Sequence, residues 1–394
     1  VAAPDPQQPL TILGGLTPAE FLRDYWQQRP LLVRGAIPGF ENPIEPDDLA
    51  GLATDPDASS RLVLGHQDRQ DWAVEYGPFA AERLERLPER DWTLLVTDVE
   101  RFWSDGLHFL ARFDFIPRWR RDDLMISCAA PGGSVGPHVD QYDVFLFQAA
   151  GHRRWQIQDP PGALDCHDDL PLAILRDFAP TDSWELGPGD LLYLPPNLPH
   201  YGLARDAQCM TWSVGFRAPS LLDVFGGYFD ERASALDEQT RFEDPGRAPA
   251  IHPGEIPSGD RRMLRDSLRA LLAADDAELD ACLGRFLTRP THSLGLVPDD
   301  PALASSAPAD AAFDVHPGVR RAWFQGMDGP VLCLAGKDYP LPPVAPDVLE
   351  AFCRAQSLSV AEWREAVPNI RAILRDGLAA GWLAPRDTDT DTGP

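Results

Sequence analysis

The sequence predicts a mainly β fold with α: a double-stranded β-helix, or jelly roll, followed by a helical region and a small winged-helix-like module. Three observations lead there. Between Arg61 and Phe216, short apolar runs recur, each closed by Gly, Pro or a polar turn. Near Ser220 the apolar spacing changes to three and four residues. Beyond Pro308, two strand-like runs precede three helical ones. At 394 residues the chain exceeds one ordinary domain. The expected divisions are a β core over 1–218, a helical region over 219–290, a Pro/Ala/Ser-rich linker over 291–309, the winged-helix-like module over 310–386, and a low-complexity, disordered tail over 387–394.

Taken in order, Leu16 to Gln28 opens the chain as a helix. Thr17, Pro18 and Glu20 make a capping box with proline at the first helical position, and Phe21, Leu22, Tyr25 and Trp26 repeat at helical spacing until Pro30. Leu31 to Val33 is a short strand. The runs RLVL, WAVEY and WTLLV between Arg61 and Val96 are strands, and the aromatic stretch Phe102 to Phe115 is helical. Further strands fall at Leu124–Ala129, Val144–Phe147, Trp155–Ile157, Leu191–Leu194 and Met210–Phe216. After Ser220, a possible cap, amphipathic helices carry Leu264, Leu268, Leu271 and Leu272, an apolar stripe suited to covering the core or a second subunit.

Composition narrows the function classes. The hydrophobic share is 44% and the charged share 24%, and no apolar run is long enough to span a bilayer. The first residues lack a basic-then-apolar leader pattern, so a cytoplasmic protein without membrane association is expected. Six scattered cysteines without a CxxC pair argue against a disulfide scaffold or a zinc knuckle. The net charge of −26 repels nucleic acid and suits a basic partner. Residues 310–386 hold eight bases and nine acids, which lacks the basic stripe of a DNA-binding winged helix, so no direct DNA binding is expected.

The chemistry centres on Val135 to Trp155, VGPHVDQYDVFLFQAAGHRRW. His-x-Asp occurs three times in the chain, at His66/Asp68, His138/Asp140 and His167/Asp169, and one such pair is ordinarily just two surface residues. The second pair is set apart by its place on what reads as a strand, where residues two apart share a face. It is followed by a turn at Gly151 and a return carrying Arg153 and Arg154, and by His200, 62 residues after His138 (200 − 138). In a jelly roll, the segments of His138 and His200 are expected on facing strands across the barrel mouth. Two imidazoles and one carboxylate leave adjacent positions open on a metal, a set that suits Fe(II) and oxygen chemistry. Bidentate 2-oxoglutarate would fill two of those positions and leave one for O2. Its far carboxylate needs a cation, and alternation on the return strand allows only one of Arg153 and Arg154 to point inward; Arg153 is the better candidate. Ser127, on the strand before Pro131-Gly132-Gly133, could add a hydrogen bond.

The runs GGLTPAEFLRDYWQQRPLLVRGAIP, AAPGGSVGPHVDQYDVFLFQ, GDLLYLPPNLPHYG and TWSVGFRAP closely resemble the bacterial ribosomal oxygenases of the JmjC-type cupin superfamily. The likeness is dense from about Pro9 to Pro219 and looser beyond. It implies iron ligands at His138, Asp140 and His200, with 2-oxoglutarate held by Arg153 and Ser127. It also implies hydroxylation at the β-carbon, C3, of an arginine in large-subunit ribosomal protein sixteen, a homodimer formed through the helical region, and a C-terminal winged helix. His152 departs from the resemblance, which leads to arginine there; it lies in the turn. Competing readings are histidine hydroxylation or lysine demethylation on another protein, and a non-catalytic cupin and winged-helix adaptor.

Overall fold

The computed structural model describes residues 4–66, 68, 71–237, 239, 241–290 and 296–386. The expected disordered tail, 387–394, lies outside the described residues, as do residues 291–295 of the expected linker. The chain divides into two compact units, Val1–Ala218 and Pro219–Pro394.

The first unit opens with helix α1, Pro18–Asp24. The Thr17 hydroxyl accepts the Glu20 N–H at 3.1 Å while Glu20 Oε2 accepts the Thr17 N–H at 2.8 Å, so the capping box forms as expected. The strands are β1 Leu31–Val33, β2 Ser60–Leu64, β3 Ala73–Tyr76, β4 Trp92–Val96, β5 Arg121–Ala129, β6 Asp143–Ala150, β7 Arg153–Ile157, β8 Asp182–Leu186, β9 Leu191–Leu194, β10 His200–Ala204 and β11 Cys209–Phe216. Helices α2 Pro46–Thr54, α3 Ala81–Glu85 and α4 Asp105–Leu110 lie between them. A large sheet runs β1-β9-β6-β11-β5-β4-β2-β3 and a small one runs β10-β7-β8, every pairing antiparallel. This is the expected jelly roll.

At its centre the large sheet is buried on both faces, which is why β6 reads as an unbroken apolar run. Phe145 and Phe147 join Phe21, Phe113, Trp212 and Phe216 on the outer face, under the N-terminal segments. Val144 and Leu146 turn inward to Trp155, Ile157, Leu186, Leu192 and Leu194, between the sheets. A polar anchor fixes the start of β6. Tyr193 Oη donates to Asp143 Oδ1 at 2.6 Å and Gln27 Nε2 donates to Oδ2 at 2.9 Å. The stretch Phe102–Phe115 is helical only over α4 and a short 3₁₀ turn, Ala111–Phe113.

The second unit contains α5 Leu221–Ser234, α6 Ser258–Leu272, α7 Asp276–Thr288, α8 Leu303–Ser306, β12 Ala312–Val315, β13 Arg321–Gln325, β14 Pro330–Leu334, β15 Lys337–Pro340, α9 Pro346–Arg354, β16 Ser357–Ser359, α10 Val360–Trp363, α11 Ile370–Ala380 and β17 Leu383–Pro385. Ser220 caps α5, its hydroxyl accepting the Asp223 N–H at 3.1 Å. Two three-stranded sheets, β16-β12-β17 and β13-β14-β15, share a core with α9 and α11. One expectation changes here. The described part of the expected linker, 296–309, is not a free connector: α8 inserts buried Ala304, flanked by Leu296, Leu303 and Ala307, into that core.

Candidate active site

The site forms where the segment before β6 meets the start of β10. His138 and His200 are joined by a single antiparallel bridge: His138 N–H donates to the His200 carbonyl and His200 N–H donates to the His138 carbonyl, both at 3.0 Å. Two expectations are corrected. His138 and Asp140 are not on a β-strand but in the extended segment before β6, and His138 sits beside His200 rather than across the barrel mouth. Gly136, in the left-handed region at φ +79°, and Pro137 bend that segment off a continuous ladder. Pro195-Pro196 and Asn197, also left-handed at φ +60°, turn the chain into β10. The Asn197 N–H donates to the Asp140 carbonyl at 2.7 Å and so fastens one turn to the other.

Each imidazole is oriented by its own backbone. Nδ1 of His138 pairs with the Gly136 carbonyl and Nδ1 of His200 with the Leu198 carbonyl, both at 2.9 Å. A proton on Nδ1 satisfies those contacts and leaves each Nε2 with a free lone pair. The two Nε2 atoms lie 3.8 and 3.6 Å from Asp140 Oδ2. Among the described residues, this is the group of three able to converge on one metal ion, its ligand atoms all within 4.8 Å of one another. Burial, with His138 beside it and against the pull of Asp140, pushes His200 down to about 4, which keeps its imidazole neutral and ready to ligate. The other two pairs differ. Asp68 and Asp169 are exposed, 3.6 and 3.9 Å from His66 and His167.

The interior above the triad is cationic at one point. Arg153, the first residue of β7, is only 4% exposed, while Arg154 points to solvent. The alternation predicted this choice. Arg153 stacks over Trp155 at 5.7 Å, and its Nε and Nη2 are buried with no hydrogen-bond partner among the described residues. A guanidinium left with two unsatisfied buried donors fits an anionic, bidentate ligand. Ser127 is buried on β5, on the face that turns between the sheets, and its hydroxyl makes only a long 3.4 Å bond to the Thr211 carbonyl, so it is free to reorient. Gly151, left-handed at φ +59°, makes the turn that reverses β6 into β7; a Cβ there would meet Asp206 and the Gln208 carbonyl. His152 is exposed in that turn and pairs with Asp206 at 2.9 Å, outside the interior.

Three neighbours escaped the sequence reading. Trp155 lies 5.9 Å from the His200 ring and 5.7 Å from the Arg153 guanidinium, between the two. Tyr142, two residues past Asp140, is 40% exposed, and its phenol is pushed far up by desolvation and by the charges of Asp140 and Asp123. Asp123 lies beside it: at Gly215 a Cβ would stand 3.6 Å from Asp123 Oδ1 and 3.8 Å from the Tyr142 ring. The sequence did place Tyr142 two residues after Asp140, the spacing of a shared face. Nothing local marks Asp123, because only the β5–β11 register carries it to Tyr142.

A double-stranded β-helix bearing two histidines and one aspartate on one side of a metal position defines the JmjC-type cupin class. Residues 108–224 match the JmjC domain and residues 270–384 match a ROXA-like winged helix. The chain is 37% identical over 285 residues to the ribosomal protein uL16 3-hydroxylase of Escherichia coli (strain K12), covering 72% of this chain and 74% of that protein. A probable ribosomal oxygenase of Haemophilus influenzae is 40% identical over 222 residues, covering 54% of this chain and 52% of it. The X-ray structure of E. coli YcfD superposes with a TM-score of 0.76 at 32% identity, covering 94% of this chain and 98% of that one. The same ribosomal oxygenase in complex with cobalt and 2-oxoglutarate gives 0.73 at 30% identity, covering 94% and 99%. The chain belongs to the ribosomal oxygenase family.

Proposed function

We propose that this protein is an Fe(II)- and 2-oxoglutarate-dependent dioxygenase that hydroxylates the β-carbon (C3) of an arginine in large-subunit ribosomal protein uL16. The observation that carries the reading is the pairing of a metal-capable His138, Asp140 and His200 set with a buried Arg153 whose Nε and Nη2 have no partner. The relative from E. coli named as the uL16 3-hydroxylase, and the related structure with cobalt and 2-oxoglutarate, support it.

In this reading Nε2 of each histidine and a carboxylate oxygen of Asp140 hold the ion on one side. Arg153 grips the far carboxylate of 2-oxoglutarate through parallel hydrogen bonds, and Ser127 turns its hydroxyl toward the same group. When bound, the iron centre with 2-oxoglutarate and O2 supplies the oxidising power that converts an unactivated C–H into C–OH, with release of succinate and CO2. The chain's own task is to orient and to exclude water. Trp155 walls one side, and the apolar interior around Val144, Leu146 and Leu186 keeps the local dielectric low. Asp123 and Tyr142 offer a carboxylate and an aromatic face to the guanidinium of the substrate. The net charge of −26 draws a basic ribosomal protein toward the mouth.

The finer organisation is part of the same proposal. Residues 1–218 are catalytic, 219–290 dimerise, and 310–386 form a winged helix used for protein contacts rather than DNA, with the described part of 291–309 packed on its core. The apolar side chains left exposed on α5 and α6, among them Leu221, Leu222, Phe225, Phe229, Leu264 and Leu268, support a homodimer. No helix among the described residues is long and apolar enough to cross a membrane, in keeping with a cytoplasmic enzyme.

The deciding experiment is anaerobic reconstitution with Fe(II) and 2-oxoglutarate, oxygen exposure with ribosomal proteins, and mass spectrometry. The expected product is uL16 heavier by one oxygen on arginine. Oxygen on another residue or protein refutes the substrate, and no 2-oxoglutarate turnover with any ribosomal protein refutes the enzyme.

A further inference from the structure

A buried acid outside the site has no part in that scheme. Glu100, in the turn after β4, is only 7% exposed. Gly106 of α4 packs on it so closely that a Cβ there would stand 3.1 Å from its Cα. Glu100 Oε2 accepts the N–H of Leu124 at 3.0 Å, at a point of β5 beyond the last residue paired with β4, Ile126. The adjacent residue is Asp123, whose Oδ2 accepts the N–H of Asp98 at 3.3 Å. The two carboxyls therefore hang from one junction, each taking a backbone N–H from the other's segment. Asp123 also borders Tyr142 next to the triad.

We infer that Glu100 is a positioning residue which shares one proton with Asp123, and that a cationic substrate side chain seated against Asp123 expels this proton to solvent. The inference rests on the reading that Asp123 meets the substrate. Glu100 is buried and Asp123 half-buried, and two such neighbouring carboxyls do not readily ionise together, so the pair titrates as a unit. Burial pushes Glu100 up to about 7, and burial with Glu100 beside it raises Asp123 well above the usual carboxylate range. The surrounding charges reinforce this. Asp98 on the turn and Asp122 on β5 face the pair, each with an arginine of its own 3.9 Å away, Arg101 and Arg217. Arg121, which opposes them, is shared with Asp114 at 3.1 Å. Arg61 of β2 faces Tyr142, and α4 contributes only the exposed Asp105 and His108. A guanidinium brought to Asp123 supplies the missing countercharge, and the proton leaves.

The test is calorimetry on the full chain loaded with Co(II) and 2-oxoglutarate without oxygen. An arginine-bearing loop peptide of uL16 is titrated at pH 6.5 in two buffers of different ionisation enthalpy. The wild type is expected to release about one proton per peptide. Glu100→Gln keeps an acceptor for Leu124 but cannot share the charge, and its proton release should fall by half or more while 2-oxoglutarate binding stays unchanged. Equal release from wild type and E100Q overturns the inference, as does zero release from the wild type, which needs no variant to fold. Asp123→Asn reports on the underlying reading: peptide affinity weakened tenfold or more supports it, whereas wild-type affinity removes Asp123 from the substrate site.

Discussion

Replacing Arg153 by methionine keeps a long apolar stem over Trp155 and deletes the guanidinium fork. In the structure that fork offers two buried donors, Nε and Nη2, with nothing to bind. Each charge-assisted bond to a carboxylate contributes roughly 1.5–3 kcal/mol, so two contribute about 3–6 kcal/mol. At about 1.4 kcal/mol per tenfold, 2-oxoglutarate should bind R153M roughly 10²–10⁴ times more weakly. Arg153→Lys retains a point charge without the fork and should fall between. The assay is titration of 2-oxoglutarate into the metal-loaded chain without oxygen, followed by heat. A second readout separates this from damage to the fold. Removing a buried guanidinium with two unsatisfied nitrogens should leave the ligand-free protein little changed in stability, while the rise in Tm caused by 2-oxoglutarate disappears. R153M binding the co-substrate within about threefold of wild type would refute the assignment.

His138→Ala removes one of three converging ligand atoms, so Co(II) affinity should drop at least tenfold with little change in secondary structure; unchanged metal binding by calorimetry counts against the triad. The proposed homodimer predicts that the wild type sediments as a dimer and that Leu268→Glu, which puts a charge into the exposed stripe of α6, shifts it to monomer; a monomeric wild type refutes the dimer, and an unshifted dimer places the interface elsewhere. Glu100, pushed up to about 7, keeps a proton in the folded chain that an unfolded glutamate releases near 4.5. The folded state thus binds more protons between those values, and stability falls as pH rises through them. Urea unfolding at pH 5 and pH 7.5 should show that slope for wild type and a shallower one for E100Q. Thr17→Ala breaks the capping box of α1 and should cost about 1 kcal/mol by the same measurement.

The β core was legible because the centre of the large sheet is buried on both faces. Runs such as DVFLFQAA and LLYL leave little room for another structure, and the single inward choice at Arg153 followed from a period of two. Two strands of this core were missed for a physical reason, and in the second unit the short strands β12, β13, β16 and β17 were missed as well. DSWEL exposes most of its residues at the edge of the small sheet, and HYGLA begins with a ligand and contains a glycine, so neither has an apolar signature. The site residues were legible by type and spacing, but their arrangement was not. That His138 and His200 clasp one another directly depends on Gly136, Pro137 and Asn197 bending two segments together, and these turns carry no long-range information in sequence. Asp123 and Glu100 are invisible for the same reason. An acid pair 23 residues apart (123 − 100) becomes a pair only through the end of β4 and the register of β5.

The backbone clasp between His138 and His200 makes the metal position a socket rather than a rivet. Two reciprocal amide bonds, with Asn197 fastened to the Asp140 carbonyl, hold the backbones of the three donors close together. The ion is therefore a tenant. Chelators should strip it and leave the protein folded, and adding it back should need no refolding step. The same property exposes the enzyme to its surroundings: a preformed pair of imidazoles and a carboxylate accepts other divalent ions of similar size, so the occupant is set by what the cell makes abundant. Inhibition by competing metals and dependence on iron supply follow from two hydrogen bonds of the main chain.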